Sequence, residues 1–166
     1  VFGDSPIDLA RVRPTGVEMR QTRFGPKPYV ASNLHFSMLA DEILTPGKGQ
    51  VRAFLMESGN IVVSAPGGDR LEEALAALDL FVAHDLYINE TNRYAHYILP
   101  GATFLERADV PTIAFPHMVR PFAQYTDAVI PPRGETRNEH DLFNELAARL
   151  HDHLAADPGL SLYGSE

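Results

Sequence analysis

The sequence predicts an α/β fold, a Rossmann-like three-layer domain with a mostly parallel sheet. Three observations carry this. Short apolar runs at residues 51–56, 80–84 and 97–99 are continuous rather than alternating, as in a sheet covered on both faces. Between them apolar residues recur at helical spacing, so strand, helix, strand, short helix and strand follow in order. Each run then ends in a polar or glycine-bearing loop.

Taken in order, residues 1–31 carry Pro6, Pro14, Pro26 and Pro28 among Gly3, Gly16 and Gly25. That spacing leaves no room for a regular element of ordinary length and predicts an extended arm. From Ser32 onward, Leu34, Met38, Leu39 and Ile43 predict a helix capped by Ser32 or Asn33. It stops near Leu44, because Pro46 restricts the residue before it. Residues 51–56 form the first strand and enter the turn Glu57-Ser58-Gly59-Asn60. Ala65-Pro66-Gly67-Gly68 punctuates. Asp69 then caps a helix through Leu78, with Leu71, Ala74, Leu75 and Leu78 on one face. The second strand is 80–84, residues 91–95 make a turn of helix, and 97–99 is the third strand. Residues 101–135 read as irregular, with five prolines (Pro111, Pro116, Pro121, Pro131 and Pro132) and a strand near 117–121. A last helix over about 139–154 has Leu142, Phe143, Leu146, Leu150 and Leu154 as its buried stripe. The organisation is thus an arm (1–31), one α/β domain (32–156) and a tail (157–166). The chain opens on Val1 and closes on a polar tail, so both ends read as cut from something longer.

Composition excludes several classes. At 45% hydrophobic and 22% charged over 166 residues, the chain can bury a real core. No apolar run approaches the roughly 18 residues that would cross a membrane. Net charge is −8 and the basic residues are scattered, so no nucleic-acid partner is expected. The absence of cysteine removes disulfides, thiolate metal sites and thiol nucleophiles from this chain. The seven histidines are scattered without metal-ligand spacing, so no metal site is expected here. No G-x-G-x-x-G, Walker lysine or G-x-S-x-G elbow is present. No leader-like stretch opens the chain, and the expected location is cytoplasmic.

In open parallel sheets a ligand lies beyond the carboxyl ends of the strands. Three loops then become neighbours: Glu57-Ser58-Gly59-Asn60, the segment from His84-Asp85, and Pro100-Gly101-Ala102-Thr103. Gly59 lets a backbone approach a ligand closely, and Ser58 and Asn60 offer small donors for phosphate oxygens. Asp85 presents two acceptor oxygens, which match the paired N–H donors of a guanine edge and not an adenine edge. Asn89-Glu90-Thr91 opens a helical turn, where free N–H groups favour an anion. Each feature has a plainer reading. Gly59-Asn60 is equally a turn, Asp85 a helix cap, and Asn89-Glu90-Thr91 a helix start.

Read together, several segments resemble one family. Residues 43–53 resemble the lead-in to the first strand of the third domain of molybdopterin oxidoreductases, the dimethyl-sulfoxide-reductase and formate-dehydrogenase superfamily. Gly59-Asn60 with Val63-Ser64-Ala65-Pro66 is similar to its G-N-P-x-x-S-x-P turn. The run from Asp85 to Thr91 is similar to its D-x-Y-x-N-E-T segment, and residues 93–100 to its R-H-A-D-V-I-L-P strand. Residues 124–132 and the final helix also resemble that family. The departures are Ile61, Tyr94, His96 and Tyr97, where the family has Pro, His, Asp and Val.

The resemblance implies a parent that binds molybdenum or tungsten through two pterins, each commonly extended as a guanine dinucleotide. This domain would cradle one of them. It places Ser58, Gly59 and Asn60 near the phosphates, with Ser64 in the same motif. Asp85 would accept from guanine, Asn89 and Thr91 would lie near the nucleotide, and Pro100 would shape the third loop. No residue here is implied as catalytic. The partners implied are the other domains of the parent, which carry any iron–sulfur cluster, the protein ligand to the metal and a C-terminal barrel, together with an electron carrier or redox subunit. This chain alone would then be inactive. Two alternatives stand beside this reading: a degenerate relative without cofactor, serving as a structural subunit of an electron-transfer complex, and an unrelated α/β nucleotide-binding module.

Overall fold

The computed structural model describes residues 18–29, 36–110, 119–120 and 124–156. The first difference from expectation lies in the arm. Strands β1 (Glu18–Thr22) and β2 (Gly25–Tyr29) pair as an antiparallel hairpin. Pro26 and Pro28 are two apart, so their missing N–H groups fall on the same edge of β2. The N–H groups of Gly25, Lys27 and Tyr29 remain for pairing. Thr22 Oγ1 closes the turn, accepting from Phe24 N–H at 3.1 Å and donating to the Gly25 carbonyl at 2.8 Å. Arg23 ties the hairpin to the domain through the Thr45 carbonyl and, at 3.5 Å, the Glu42 carboxylate.

The helix cap expected at Ser32 or Asn33, and Leu34, lie outside the described residues. A 3-10 turn (Phe36–Met38) leads into helix α1 (Leu39–Leu44). Helix α1 buries Ala40 and Ile43 and stops at Leu44, where Thr45 is extended (φ −87°, ψ 115°) ahead of Pro46.

Strand β3 (Ala53–Glu57), strand β4 (Leu80–Asp85) and strand β5 (Tyr97–Pro100) form a parallel sheet in the order β3-β4-β5. Between β3 and β4 run a short helix α2 (Ile61–Ser64), which the sequence reading missed, and helix α3 (Gly68–Ala76). Asp69 does not cap α3. Gly67 holds that position at φ +78°, and Asp69 sits in the first turn, where its charge suits the helix dipole. Gly68 is obligatory for packing, since a Cβ there would lie 2.4 Å from the Val62 carbonyl oxygen. A 3-10 turn (Asn92–Tyr94) links β4 to β5, and helix α4 (Glu139–Ala156) is the last element described.

The core lies on one face of the sheet. Met56, Phe81 and Ala83 pack there against Ile43 of α1, Ile61 of α2, and Leu71, Ala74 and Leu75 of α3. Phe54 and Phe81 meet with ring centroids 5.4 Å apart. The opposite face departs from the expected double coverage. Leu55 and Leu80 are exposed, and Val82 and Leu99 are half-buried. Helix α4 stands over this face without closing on it. Its Leu142, Phe143 and Leu146 are half-buried, Leu150 is exposed, and an apolar cavity of about 330 Å³ separates helix from sheet. From Leu142 to Leu150 the expected stripe is therefore a lining, not a core; the Leu154 side chain lies outside the described residues.

Beyond β5, one isolated bridge, Gly101 with Arg137, brings the chain back to the end of β5, and another, Asp109 with Thr126, folds the irregular segment on itself. Buried Glu106 organises it, accepting from Thr103 N–H (2.9 Å), Thr103 Oγ1 (3.0 Å) and Arg133 N–H (3.1 Å). The strand expected near 117–121 falls mostly outside the described residues.

Candidate functional site

Parallel strands in register end side by side, and here this puts three loops together. Glu57 faces His84 and Asp85 faces Pro100 across the sheet. The β3 loop turns sharply, with Ser58 at φ +54° and Gly59 at φ +101°. Ser58 N–H extends the ladder to the His84 carbonyl at 2.8 Å. A Cβ on Gly59 would meet nothing within 4 Å, so glycine is used for its backbone and the space beside it is open.

Side-chain amides then stitch the β3 loop to the β4 loop. Asn60 Nδ2 donates to Glu90 Oε2 at 2.6 Å, and Asn60 Oδ1 accepts from Thr91 Oγ1 at 2.8 Å. Thr91 Oγ1 accepts from Val62 N–H at 3.0 Å. Ser64 Oγ donates to the Asn60 carbonyl at 2.9 Å. Asn89 Nδ2 donates to the Gly59 carbonyl (3.2 Å) and to Asp85 Oδ2 (3.1 Å). The Glu90 carboxyl is held below its usual range by its own backbone N–H and by the Asn60 amide.

The residues expected from sequence separate on this geometry. Ser58, Gly59, Asn60, Ser64, Asp85 and Asn89 come together at the strand ends. Thr91 is fully buried and its hydroxyl is spent between the two loops, so it positions them from beneath. Asp85 is also committed inward. Its Oδ1 accepts from Leu86 N–H at 2.7 Å, and its Oδ2 accepts from the Asn89 and Asn92 amides, both at 3.1 Å. The N–H groups of Thr91 and Asn92 donate to Asn89 Oδ1 and are not free for an anion. Pro100 opens instead onto a second cavity of about 400 Å³ beneath α4.

Sequence reasoning missed Asn92, Glu57 and His84. Asn92 is fully buried, and its amide also donates to the Tyr87 carbonyl at 2.7 Å, which pins the exposed Leu86-Tyr87-Ile88 tip. The sequence places Glu57 in the turn after the first strand and His84 at the end of the second, but only the register of β3 and β4 makes them neighbours. They line a strand-end cavity of about 290 Å³ with Ser58, Asp85, Arg107 and Glu139, under the apolar rims Leu86 and Phe104. Among the described residues no group of three His, Asp or Glu side chains could hold a metal ion.

The sequence model described as molybdopterin oxidoreductase matches residues 29–149. The chain is 29% identical over 117 residues to the probable oxidoreductase YyaE of Bacillus subtilis, covering 69% of this chain and 17% of that protein. It is 29% identical over 112 residues to the thiosulfate reductase molybdopterin-containing subunit PhsA of Salmonella typhimurium, covering 68% and 14%. Among solved structures it is similar to acetylene hydratase from Pelobacter acetylenicus, with a TM-score of 0.63 and 26% identity, over 74% of this chain and 16% of that one. The chain thus spans about a sixth of the length of the proteins it matches. With most of its length matched, and with stitched loops at the ends of a parallel sheet, the chain belongs to the molybdopterin oxidoreductase family.

Proposed function

We propose that this chain holds one guanine dinucleotide arm of a bis-pterin molybdenum or tungsten cofactor at the carboxyl ends of β3 and β4, within a longer oxidoreductase. The observation that carries the reading is the stitched pair of loops. Asn60, Glu90, Thr91, Asn89 and Asp85 form one hydrogen-bonded network, so the cleft is organised before any ligand arrives. Among the described residues the N–H groups of Gly59 and Asn60 have no acceptor, which suits phosphate oxygens over the open side of Gly59. The fit also rests on two buried polar atoms without partners at the cavity, His84 Nδ1 and Arg107 Nε.

When bound, the group supplies a metal centre that changes oxidation state by two electrons. The chain's own part is to bind and orient. Domains 32–156 and the hairpin-bearing arm would pack against other parts of the same protein, which would carry any iron–sulfur cluster and pass electrons to a carrier or redox subunit. The name of the thiosulfate reductase relative, a molybdopterin-containing subunit, supports such an assembly. A cytoplasmic location completes the proposal, and cell fractionation tests it.

Of the departures from the family pattern, Ile61 and His96 are the two that would favour a cofactor-less structural subunit. Neither departure touches the cleft. Ile61 is the first residue of α2, a position that also admits proline, and its side chain is buried in the core. His96 lies at the opposite, amino end of β5, where its Nδ1 accepts from Phe81 N–H at 2.9 Å, as a carboxylate could.

NMR titration of the chain with GDP and with ADP tests the proposal. Shifts at Gly59 and Asn60 with GDP and not ADP are the expected result. Indifference to both at millimolar concentration would overturn it. The parent protein should contain molybdenum or tungsten; metal-free parent protein would favour the structural-subunit reading.

A further inference from the structure

Asp85 is the carboxylate that the sequence assigns to a guanine edge, yet its oxygens already accept three hydrogen bonds from its own loop. Another carboxylate faces the cavity. Glu57 and His84 are register partners on the same face of the sheet, whereas Asp85 points to the other face. The Glu57 side chain is 37% exposed. Its Oε1 is steadied by Ser58 Oγ at 3.0 Å and its Oε2 has no partner among the described residues.

His84 sharpens the assignment. It is 3% exposed, and its Nε2 lies 3.1 Å from the Arg137 carbonyl, which places the ring proton on Nε2. In the neutral ring Nδ1 is then an acceptor. It is buried, has no hydrogen-bond partner, and lies 3.5 Å from Glu57 Oε1. Two acceptors thus sit side by side with no donor between them, an arrangement that is costly until a donor arrives. Across the cavity, Arg107 is paired with Glu139 but keeps a buried Nε–H without an acceptor. The charged residues that line the two cavities at His84 with it are Glu57 from β3, Arg107 from the loop after β5, and Glu135, Arg137, Glu139, Glu145 and Arg149 from the segment that bears α4; Asp85 lines the smaller cavity from the end of β4, its oxygens held by its own loop.

We infer that Glu57, with His84 beside it and Arg107 opposite, reads a ligand edge that presents two N–H donors next to a carbonyl. Acceptor, acceptor and donor on the wall complement amino, ring N–H and carbonyl on the ligand. That edge is the 2-amino-oxo-pyrimidine face shared by guanine and pterin, and adenine lacks it. The inference rests on the cofactor reading above and moves its recognition from Asp85 to Glu57. Asp85 becomes a positioning residue that shapes the loop over residues 86–92.

The experiment compares wild type, Glu57→Gln and Asp85→Asn in titrations with GDP, ADP and neopterin, a pterin without phosphate. Amide spectra confirm that each variant is folded. Glu57→Gln keeps the size and turns one acceptor into a donor. It should weaken GDP and neopterin by about tenfold or more and leave ADP unchanged. The His84 Nδ1 nitrogen resonance should move on binding in wild type and not in Glu57→Gln. Tighter neopterin than GDP would assign the edge to pterin, and the reverse to guanine; both support the inference. If Glu57→Gln binds GDP as wild type does and Asp85→Asn loses it, the inference fails and the cofactor reading stands. If wild type binds neither GDP nor neopterin, both fail.

Discussion

Asn92 shows how a short polar side chain can do the work of a larger core. It is fully buried between Asp85 and the Tyr87 carbonyl, and its own Oδ1 accepts from Asn89 N–H at 2.8 Å. Truncation leaves those partners unsatisfied beneath the loop. Asn92→Ala is expected to lower stability by about 1–3 kcal/mol, read as a shift of the urea midpoint. Gly59 isolates a different term. Its left-handed backbone has open space around it, so Gly59→Ala should cost about 1–2 kcal/mol of conformational strain alone, without displacing a neighbour. At this scale the sequence was informative about residue type but not about role. Thr91 and Asp85 read as ligand groups because hydroxyls and carboxylates serve ligands and loops alike; what the structure adds is the set of loop hydrogen bonds that each already makes.

Elements pack unevenly in this chain. Helix α3 approaches α2 so closely that Gly68 admits no side chain, and Gly68→Ala should cost about 1–3 kcal/mol through displacement of the Val62 turn. Phe81 is completely buried at the centre of the sheet, and Phe81→Ala should cost about 3–5 kcal/mol in the same urea experiment. Helix α4 contrasts with these. Its apolar stripe is half-buried over an open cavity, so its amides should exchange with deuterium faster than those of β4. Helices α1, α3 and α4 and strands β3 to β5 were legible from periodicity and from Pro46 and Gly67 as punctuation; the four-residue helix α2 is too short to show a period. The β1-β2 hairpin was not legible, because counting prolines ignores which edge of a strand loses its N–H groups.

Acid should destabilise the whole molecule through specific carboxylates. Glu106 is held below the usual range by the Thr103 N–H and hydroxyl and by the Arg133 N–H. Glu145 is held low by Arg137 and Arg149. A carboxylate whose folded pKa is depressed stabilises the fold above its unfolded value, and that stability is lost as pH falls through the folded value. The melting temperature should therefore hold steady near neutrality and fall below about pH 4.5, the ordinary glutamate value. Glu106→Gln should lower it at pH 7 and flatten the acid slope, because Gln cannot gain the proton. By itself the sequence determined the α/β class, the parallel strand order's raw material and the loops that meet at the strand ends, since each follows from local periodicity and chain punctuation. Tertiary structure decided which polar groups face the cleft, which face of the sheet stays open, and that Glu57 stands beside His84. Those depend on register and burial, which bring together residues 27 positions apart and leave no local trace in either segment.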